Sequence, residues 1–419
     1  MALLGILIAL LALAGMPLFA VFGALAMALF FFAGIDISSV AVSMYSVAGS
    51  PLLVAIPLFT LAGYIFAHSK APDRLVKLSA AVFPGGLAVV ALVACAVFTA
   101  FTGASGVTIV AMGGLLLPAL LQEGYDRKFT LGLVTASGSL GLLFPPSLPI
   151  IIYGYVAEVP VDKLFLAGIL PGILLVGLLA GYGYYKGKRE RVHGVRPSLT
   201  AIRAAARDAG WEIPLPFIVL GGIYGGILTV NEAAAITALY ALIVEVFVYR
   251  DIPVRKLPEI FSESVALVGG ILVIIMCSFG FVNYLIDAEV PMRILDWMQR
   301  YISSKYTFLL ILNLFLLVVG CLMDIFSALI VVVPLIAPVA TGFGVDPVHL
   351  GIVFLTNLEI GYLTPPVGLN LFISSFRFKE PVVKLYSASV PFLLLMLLAL
   401  VVITYAPALS LALVNLVAR

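Results

Sequence analysis

The chain has 419 residues, 63% hydrophobic and only 11% charged, with a formal net charge of +2 and a mean hydropathy of +1.21. A water-soluble globular chain carries about 25% charged residues, so this composition excludes one and points to a multispan all-α membrane protein. Cys95, Cys277 and Cys321 stand singly in apolar runs, without a CxxC or histidine-spaced partner, and imply neither a disulfide framework nor a zinc site.

Segments of about 20 apolar residues, each able to cross a bilayer core of about 30 Å as a helix, recur along the whole length. Residues 3–33 are apolar with a break at Gly15-Met16-Pro17, and read as one long broken helix or two short passes. No basic stretch precedes them, so a retained span is expected and not a cleaved leader. Residues 35–50 are more polar. A span follows over 51–68, then a short amphipathic charged piece over 70–77 and a span over 79–100. Residues 103–121 are apolar and glycine-rich, and Pro118 cannot continue a helix ladder, so a re-entrant helical hairpin is expected there. Residues 129–157 form a helix interrupted at Pro145-Pro146, and a span over 164–185 follows.

The polar segment 186–210 comes next, with seven Lys/Arg against one acid between Lys186 and Arg207. Cytoplasmic loops carry such a positive excess, so a solvated cytoplasmic loop is expected and no nucleic-acid partner. Spans over 213–229 and 232–249 lead to a second basic loop, 250–256, which places the tip at 229–232 outside. The remainder reads as a span over 261–286, an amphipathic 290–303, a span over 306–322, a second hairpin over 324–340, a broken helix over 349–376 and a long C-terminal helix over 386–417. Counted from the basic loops, the turn at 122–128 lies inside and the turn at 342–349, without Lys or Arg, lies outside. The count closes only if 69–78, or 290–303, or both, lie along the membrane plane. His68, His193 and His349 fall near span ends and read as surface histidines.

A constant shift of 220 lays the stretch from Thr102 to Gly154 onto the one from Leu322 to Ser374 without a gap. It pairs Pro118 with Pro338, Gly124 with Gly344, Asp126 with Asp346, Gly141 with Gly361, and Pro145-Pro146 with Pro365-Pro366. Helix breakers thus recur at matching places inside apolar segments. Two inverted repeats are expected, 1–210 and 211–419, each with a hairpin and a broken helix. Paired, Gly/Pro-interrupted hydrophobic segments point to a transporter's binding site.

The chemistry of such breaks is specific. In hydrocarbon every backbone N–H and C=O needs a partner, and broken helices persist only where they line a protein cavity. A double proline removes two donors and frees carbonyls, which suit a hard cation. Helix N-termini suit an anion. Nearby, the first copy offers Thr102, Ser105, Thr108, Ser137, Ser139 and Ser147, and the second Asp324, Ser327, Thr356, Asn357, Thr364 and Asn370. Intramembrane acids default to a functional role, which singles out Asp324 and then Glu359. Glu232, at the outward tip, reads as a solvated or helix-start acid. No GxxxxGK[ST] or nucleophile–histidine constellation occurs, which argues against built-in ATP hydrolysis or enzymatic chemistry.

Several stretches together resemble the large membrane subunit of tripartite ATP-independent periplasmic (TRAP) transporters. They are AIPLFTLAGYIFAHS (55–69), TGASGVTIVAMG (102–113), GLLFPPSLPIIIYG (141–154), NEAAAITALYAL (231–242), MDIFSALIVVVPLIAPV (323–339) and NLEIGYLTPPVGLNLF (357–372). The resemblance spans nearly the whole chain. It implies a sodium-driven, elevator-type secondary transporter of a bacterial or archaeal cytoplasmic membrane, with scaffold and transport parts. A small four-helix membrane subunit would brace it, and a periplasmic substrate-binding protein would deliver an organic anion, a carboxylate. No cofactor is implied beyond sodium as coupling ion. By the resemblance, the first sodium site uses Thr102 and Thr108 with oxygens around Gly141, Phe144 and Pro146. The second uses Asp324 with oxygens around Gly361, Thr364 and Pro366. Ser105, Ser147, Asn357 and Asn370 fall near the substrate cavity. Glu232, Pro145 and Pro365 take gating or structural roles. The first tip departs from the family's serine-rich pattern, reading Thr102-Gly103-Ala104-Ser105. The alternative is a stand-alone elevator-type sodium/anion symporter that needs no binding protein.

Overall fold

The computed structural model of the chain describes residues 8, 11, 15–83, 86–190 and 198–417. Among these residues every regular element is a helix, and eight helical stretches are long and apolar enough to cross a bilayer. Helix α1 (Leu18–Phe32) starts directly after Pro17, at the expected break; most of the run before it lies outside the described residues. Helix α2 (Ser38–Ala48) follows, and a single tight turn (Pro51–Val54) leads into α3 (Ala55–His68). Helix α4 (Ala71–Val82) is the amphipathic piece, longer than expected, and α5 (Leu87–Thr102) is the next apolar helix. The span read over 79–100 therefore begins later. Gly86 precedes it at φ +84°, a conformation glycine takes cheaply.

Residues 103–121 do not fold back on themselves. They belong to one helix, α6 (Ser105–Gln122), with Pro118 inside it. The hairpin is instead made by α5 and α6, with its turn at Gly103, which adopts φ +63°. Proline costs a helix one hydrogen bond and some bending, and packed neighbours make that tolerable in an apolar setting. The chain then turns into α7 (Arg127–Ser137), breaks over 138–147, resumes as α8 (Leu148–Val156) and crosses again as α9 (Val161–Arg189). The basic segment is only partly loop. Residues 191–197, including His193, lie outside the described residues, but 199–208 form α10 (Leu199–Asp208), laid against α4.

Helices α11 (Pro214–Tyr224) and α12 (Val230–Leu242) form the next pair, α12 running on into a wider-wound turn (Ile243–Val248). Helix α13 (Leu257–Asp287) is the longest described, and α14 (Val290–Tyr301) the second amphipathic piece. Helices α15 (Lys305–Leu322) and α16 (Ile325–Gly342) make the second hairpin, its turn at Met323-Asp324 and not within 324–340 as expected, with Pro334 and Pro338 inside α16. Helices α17 (Pro347–Gly361) and α18 (Leu369–Phe378) are the second broken helix. The long C-terminal helix divides into α19 (Val382–Tyr405) and α20 (Pro407–Val417). Pro407 explains the division: its ring disfavours helical backbone at Ala406.

Several backbone hydrogen bonds and turns recur 220 residues apart, although Gly103 is left-handed and its counterpart Met323 is extended. Gly103 N–H donates to Thr99 O (2.8 Å) and Met323 N–H to Val319 O (2.9 Å). Gly124 and Gly344 take φ +95° and +75°, and Asp126 and Asp346 cap the helices that follow. Phe144 N–H donates to Gly141 O (3.0 Å) and Thr364 N–H to Gly361 O (2.9 Å). Pro145-Pro146 and Pro365-Pro366 are both cis. Packing runs crosswise as well: α6 lies on α18, and α16 on α8.

A second group, α1, α2, α3 and α12, packs around α13 and α3. One end of it is tied by Arg74 of α4. Its guanidinium donates to Asp251 Oδ2 (2.6 Å), to Glu245 Oε2 (2.8 Å) and to Glu212, and lies 3.9 Å from the Tyr249 ring centre. Burial pushes the Glu212 carboxyl up from its ordinary value, and Arg74 pulls it back down. His349 is a core residue, against the surface position expected: it is 1% exposed, with Nε2 3.2 Å from Thr404 O and Nδ1 3.2 Å from Ser410 Oγ.

Candidate functional site

Both hairpin turns open on one cavity of about 430 Å³. The first contributes residues 103–107 and the second residues 324–326, with Tyr362 and Leu369 beside the second break and a stretch of α13 as the far wall. The turns are held in place by close backbone approach. A side chain at Gly63 of α3 would strike Thr102 Cα at 2.6 Å, so α3 sits directly on the first turn. An adjoining cavity of about 510 Å³ shares Tyr64, Gly106, Val107 and Ile373 with the first and extends toward His68 and Glu263, which pair at 2.9 Å.

Behind the first turn the hydroxyls of three threonines meet. Thr99 Oγ1 lies 2.8 Å from Thr108 Oγ1 and 3.1 Å from the Gly138 carbonyl oxygen, and Thr102 Oγ1 lies 3.4 Å from Thr108 Oγ1. All three are at most 1% exposed. Gly141 packs against α5 so tightly that a Cβ would sit 2.2 Å from Ala96 O. The Phe144 ring covers Gly172 of α9, while its carbonyl accepts from Ser147 N–H at 3.1 Å. Pro146 and Ser147 are buried and Pro145 half-buried, and the Ser147 and Ser139 hydroxyls have no partner. Sequence reasoning singled out Thr102 and Thr108 and passed over Thr99. The shift of 220 lands Thr99 on Val319, so the repeat gave no signal. Its only mark was a hydroxyl one turn ahead of a glycine turn.

Behind the second turn the chemistry differs. Asp324 caps α16: Oδ1 accepts the N–H groups of Phe326 and Ser327, each at 3.0 Å, and Oδ2 accepts the Ser327 hydroxyl. Ile325 N–H donates to Tyr362 Oη at 2.7 Å, a contact the sequence did not reveal. A Cβ on Gly361 would fall 2.4 Å from the Gly320 backbone, the counterpart of Gly141 on α5. Thr364 Oγ1 donates to Ile360 O at 3.0 Å. Pro365 and Pro366 are exposed, and the Pro366 carbonyl, expected beside Asp324, accepts from Tyr386 of α19 at 2.5 Å.

Of the residues expected near the substrate cavity, Ser105 lines it, whereas Ser147, Asn357 and Asn370 do not. Asn357 is turned into the helix packing, where its amide donates to Asn313 Oδ1 and Val353 O, both at 2.8 Å. Asn370 reaches across to Thr135 O at 3.4 Å. Glu359 is fully buried and its carboxyl has no hydrogen-bond partner among the described residues. Glu232 does not line this cavity and completes a capping box: Thr229 N–H donates to Glu232 Oε2 (2.7 Å) and Glu232 N–H to Thr229 Oγ1 (3.3 Å). This is the helix-start position the sequence offered for it.

The helical bundle thus encloses a cavity bounded by both hairpin turns. A family model described as "Tripartite ATP-independent periplasmic transporter, DctM component" matches residues 4–409. The chain is 37% identical over 434 residues to the "C4-dicarboxylate TRAP transporter large permease protein DctM" of Rhodobacter capsulatus, covering 98% of each. It is 35% identical over 400 residues to the "Isethionate TRAP transporter permease protein DctMQ" of Oleidesulfovibrio alaskensis, covering 94% of this chain and 63% of that one. In fold it is similar to the Alcanivorax borkumensis YdaH transporter, with a TM-score of 0.66 at 14% identity over 87% of this chain and 86% of that one. The chain belongs to the DctM family of TRAP transporter components, and is a transport protein, not an enzyme.

Proposed function

We propose that this chain is a sodium-coupled permease that imports a small organic anion, a carboxylate, handed over by a periplasmic substrate-binding protein. A small four-helix membrane subunit braces it in the cytoplasmic membrane of a bacterium or archaeon. The observation that carries this reading is the single cavity bounded by both hairpin turns, each backed by a helix break. The relatives' names, C4-dicarboxylate and isethionate permeases, support an organic acid as cargo. The paired name DctMQ, on a relative of which this chain spans 63%, fits a second membrane component outside this chain.

In this reading the chain is two inverted repeats, 1–210 and 211–419. The turns that recur at a spacing of 220 and the crosswise packing of α6 on α18 and α16 on α8 support it. The hairpins and broken helices move together as the transport part, against the group around α13 as scaffold. One sodium ion sits among the hydroxyls of Thr99, Thr102 and Thr108 with oxygens near Gly138, Gly141, Phe144 and Pro146. The other sits near Asp324 with oxygens of Gly361, Thr364 and Pro366. Oxygen-only surroundings suit a hard cation, and ion binding behind both turns holds them in the shape that receives the anion.

The test is uptake in proteoliposomes holding this chain with its small subunit, with binding protein added and a sodium gradient imposed. Uptake should need all three. If Asp324→Ala and Thr364→Ala transport with unchanged sodium dependence, the second ion site is wrong. Uptake by this chain without a binding protein would replace the three-part reading with a stand-alone symporter.

A further inference from the structure

We infer that the substrate is a monocarboxylate with an apolar body, its carboxylate seated at the first hairpin turn. This rests on the permease reading above. The two turns present matched backbone positions with opposite chemistry. Ala104 and Asp324, 220 residues apart, hold the N-cap positions of α6 and α16. At α16 the first three N–H groups are all taken: Ile325 donates to Tyr362, and Phe326 and Ser327 donate to Asp324. That turn offers an anion no donor and presents a carboxyl group.

At α6 the situation is reversed. Ala104 has no capping atom, and no side chain caps the helix. The N–H groups of Ser105, Gly106 and Val107 have no partner among the described residues, and all three residues line the cavity. Ser105 is 4% exposed, lines the same cavity, and its hydroxyl likewise has no hydrogen-bond partner among the described residues. Uncapped N–H groups at a helix start, backed by the helix dipole, receive a carboxylate, and the buried hydroxyl adds a charge-assisted hydrogen bond.

The remaining wall fixes the other end of the molecule. Leu142, Leu267, Ile271, Ile274 and Leu369 are aliphatic, and Phe326 is aromatic. Among the described residues that line this cavity there is no Lys, Arg or His. A second carboxylate placed there would leave water for a wall whose polar groups are the Tyr64 and Tyr362 hydroxyls and the Asp324 carboxyl, with no cation to pair it, and an unpaired buried charge is strongly disfavoured. An alkyl or aryl group instead gains by leaving water.

Binding to the purified full-length chain in sodium-containing buffer, read by isothermal titration, tests this with hexanoate, isovalerate and phenylacetate against succinate and fumarate. At least one monocarboxylate should bind roughly tenfold or more tightly than either dicarboxylate, whose second carboxylate loses water there without a cation to pair it. Ser105→Ala should weaken that binding about tenfold, and Leu267→Arg, which sets a cation on the far wall, should raise succinate binding. Succinate or fumarate bound more tightly than every monocarboxylate, or Ser105→Ala without effect, overturns the inference while leaving an organic-anion permease. Absence of binding by all three monocarboxylates, with sodium present, also overturns the inference, and the permease reading stands or falls by the uptake test above.

Discussion

The two hairpin turns share a closing backbone hydrogen bond and little else. Around the first, three threonine hydroxyls interlock behind the turn, the helix start is uncapped, and Pro146 and Ser147 are buried. Around the second, an aspartate caps the helix, a tyrosine hydroxyl holds its first N–H, and both prolines are exposed. The hydrogen bonds that shape the chain recur at a spacing of 220, from the turn at Gly103 to the helix break at Gly141. The side chains that would meet a ligand do not. A duplicated frame therefore fixes where two sites lie, while each copy supplies its own donors and acceptors.

The largest expected effect contrasts the amphipathic helices that precede the hairpins. Arg74 of α4 faces Glu212, Glu245 and Asp251, whereas α14 is held by Leu295 packed on Gly342. Arg74→Met leaves three buried carboxyls without their cation and should destabilise the detergent-purified protein by about 3–5 kcal/mol. Leu295→Ala should cost about 2 kcal/mol, the low end for such truncations. Thermal unfolding measures both. The cluster also has a pH signature. Burial raises Glu212 above its ordinary 4.5, so its contribution to stability is complete below that value and is lost as pH rises through the raised one. Glu212→Gln should flatten the melting temperature over that window; an unchanged slope would assign the dependence elsewhere.

Next in size is the close packing behind the turns. A Cβ at Gly141 meets Ala96 O at 2.2 Å, and one at Gly361 meets the Gly320 backbone at 2.4 Å. Gly141→Ala and Gly361→Ala should each cost about 1–3 kcal/mol, the range for overpacking, and depress uptake to a similar degree. Loss in one copy alone would break the equivalence of the two halves.

How much of this could be read from residues follows the same division. Prolines and glycines announce themselves, because they change what the backbone can do: Pro145-Pro146, Pro365-Pro366, Gly124 and Gly344 marked the breaks and turns the structure contains. Pro118 and Pro338 misled in the opposite direction. They suggested that a hairpin folds within 103–121 and 324–340, whereas each lies inside one continuous helix and the turn falls at its start. Orientation within a helix was not legible, since every face is apolar. Asn357 and Asn370 looked like cavity residues and point into helix packing. His349, near a helix end, is core. Thr99 and Tyr362 were invisible because their partners lie on other elements, Thr108 on the adjacent hairpin arm and Ile325 at the start of the second hairpin's α16.

Thr99 gives a sharper test, because Val319 already stands in its place in the second copy. Thr99→Val makes the first turn resemble the second at nearly constant volume. On the proposed first ion site it removes one oxygen from three and should weaken the sodium dependence of uptake about tenfold, roughly 1.4 kcal/mol. Val319→Thr should leave that dependence unchanged. Equal effects of the two would mean that the hydroxyl cluster serves packing alone.

The smallest effect separates two roles of one side chain. Asp324 both caps α16 and belongs to the proposed second ion site. Asparagine caps a helix about as well as aspartate, and alanine costs about 1 kcal/mol. Asp324→Asn should therefore keep the stability, read by thermal unfolding, within a few tenths of a kcal/mol of the parent, because its carbonyl oxygen can still accept from Phe326 and Ser327. It removes the charge, however, so half-maximal sodium for uptake should rise. Asp324→Ala should lower both stability and sodium response. Were Asn to match the parent in sodium response and Ala to lose only stability, Asp324 would be a cap and nothing more. The two turns would then differ in how each helix start is satisfied, not in how each holds an ion.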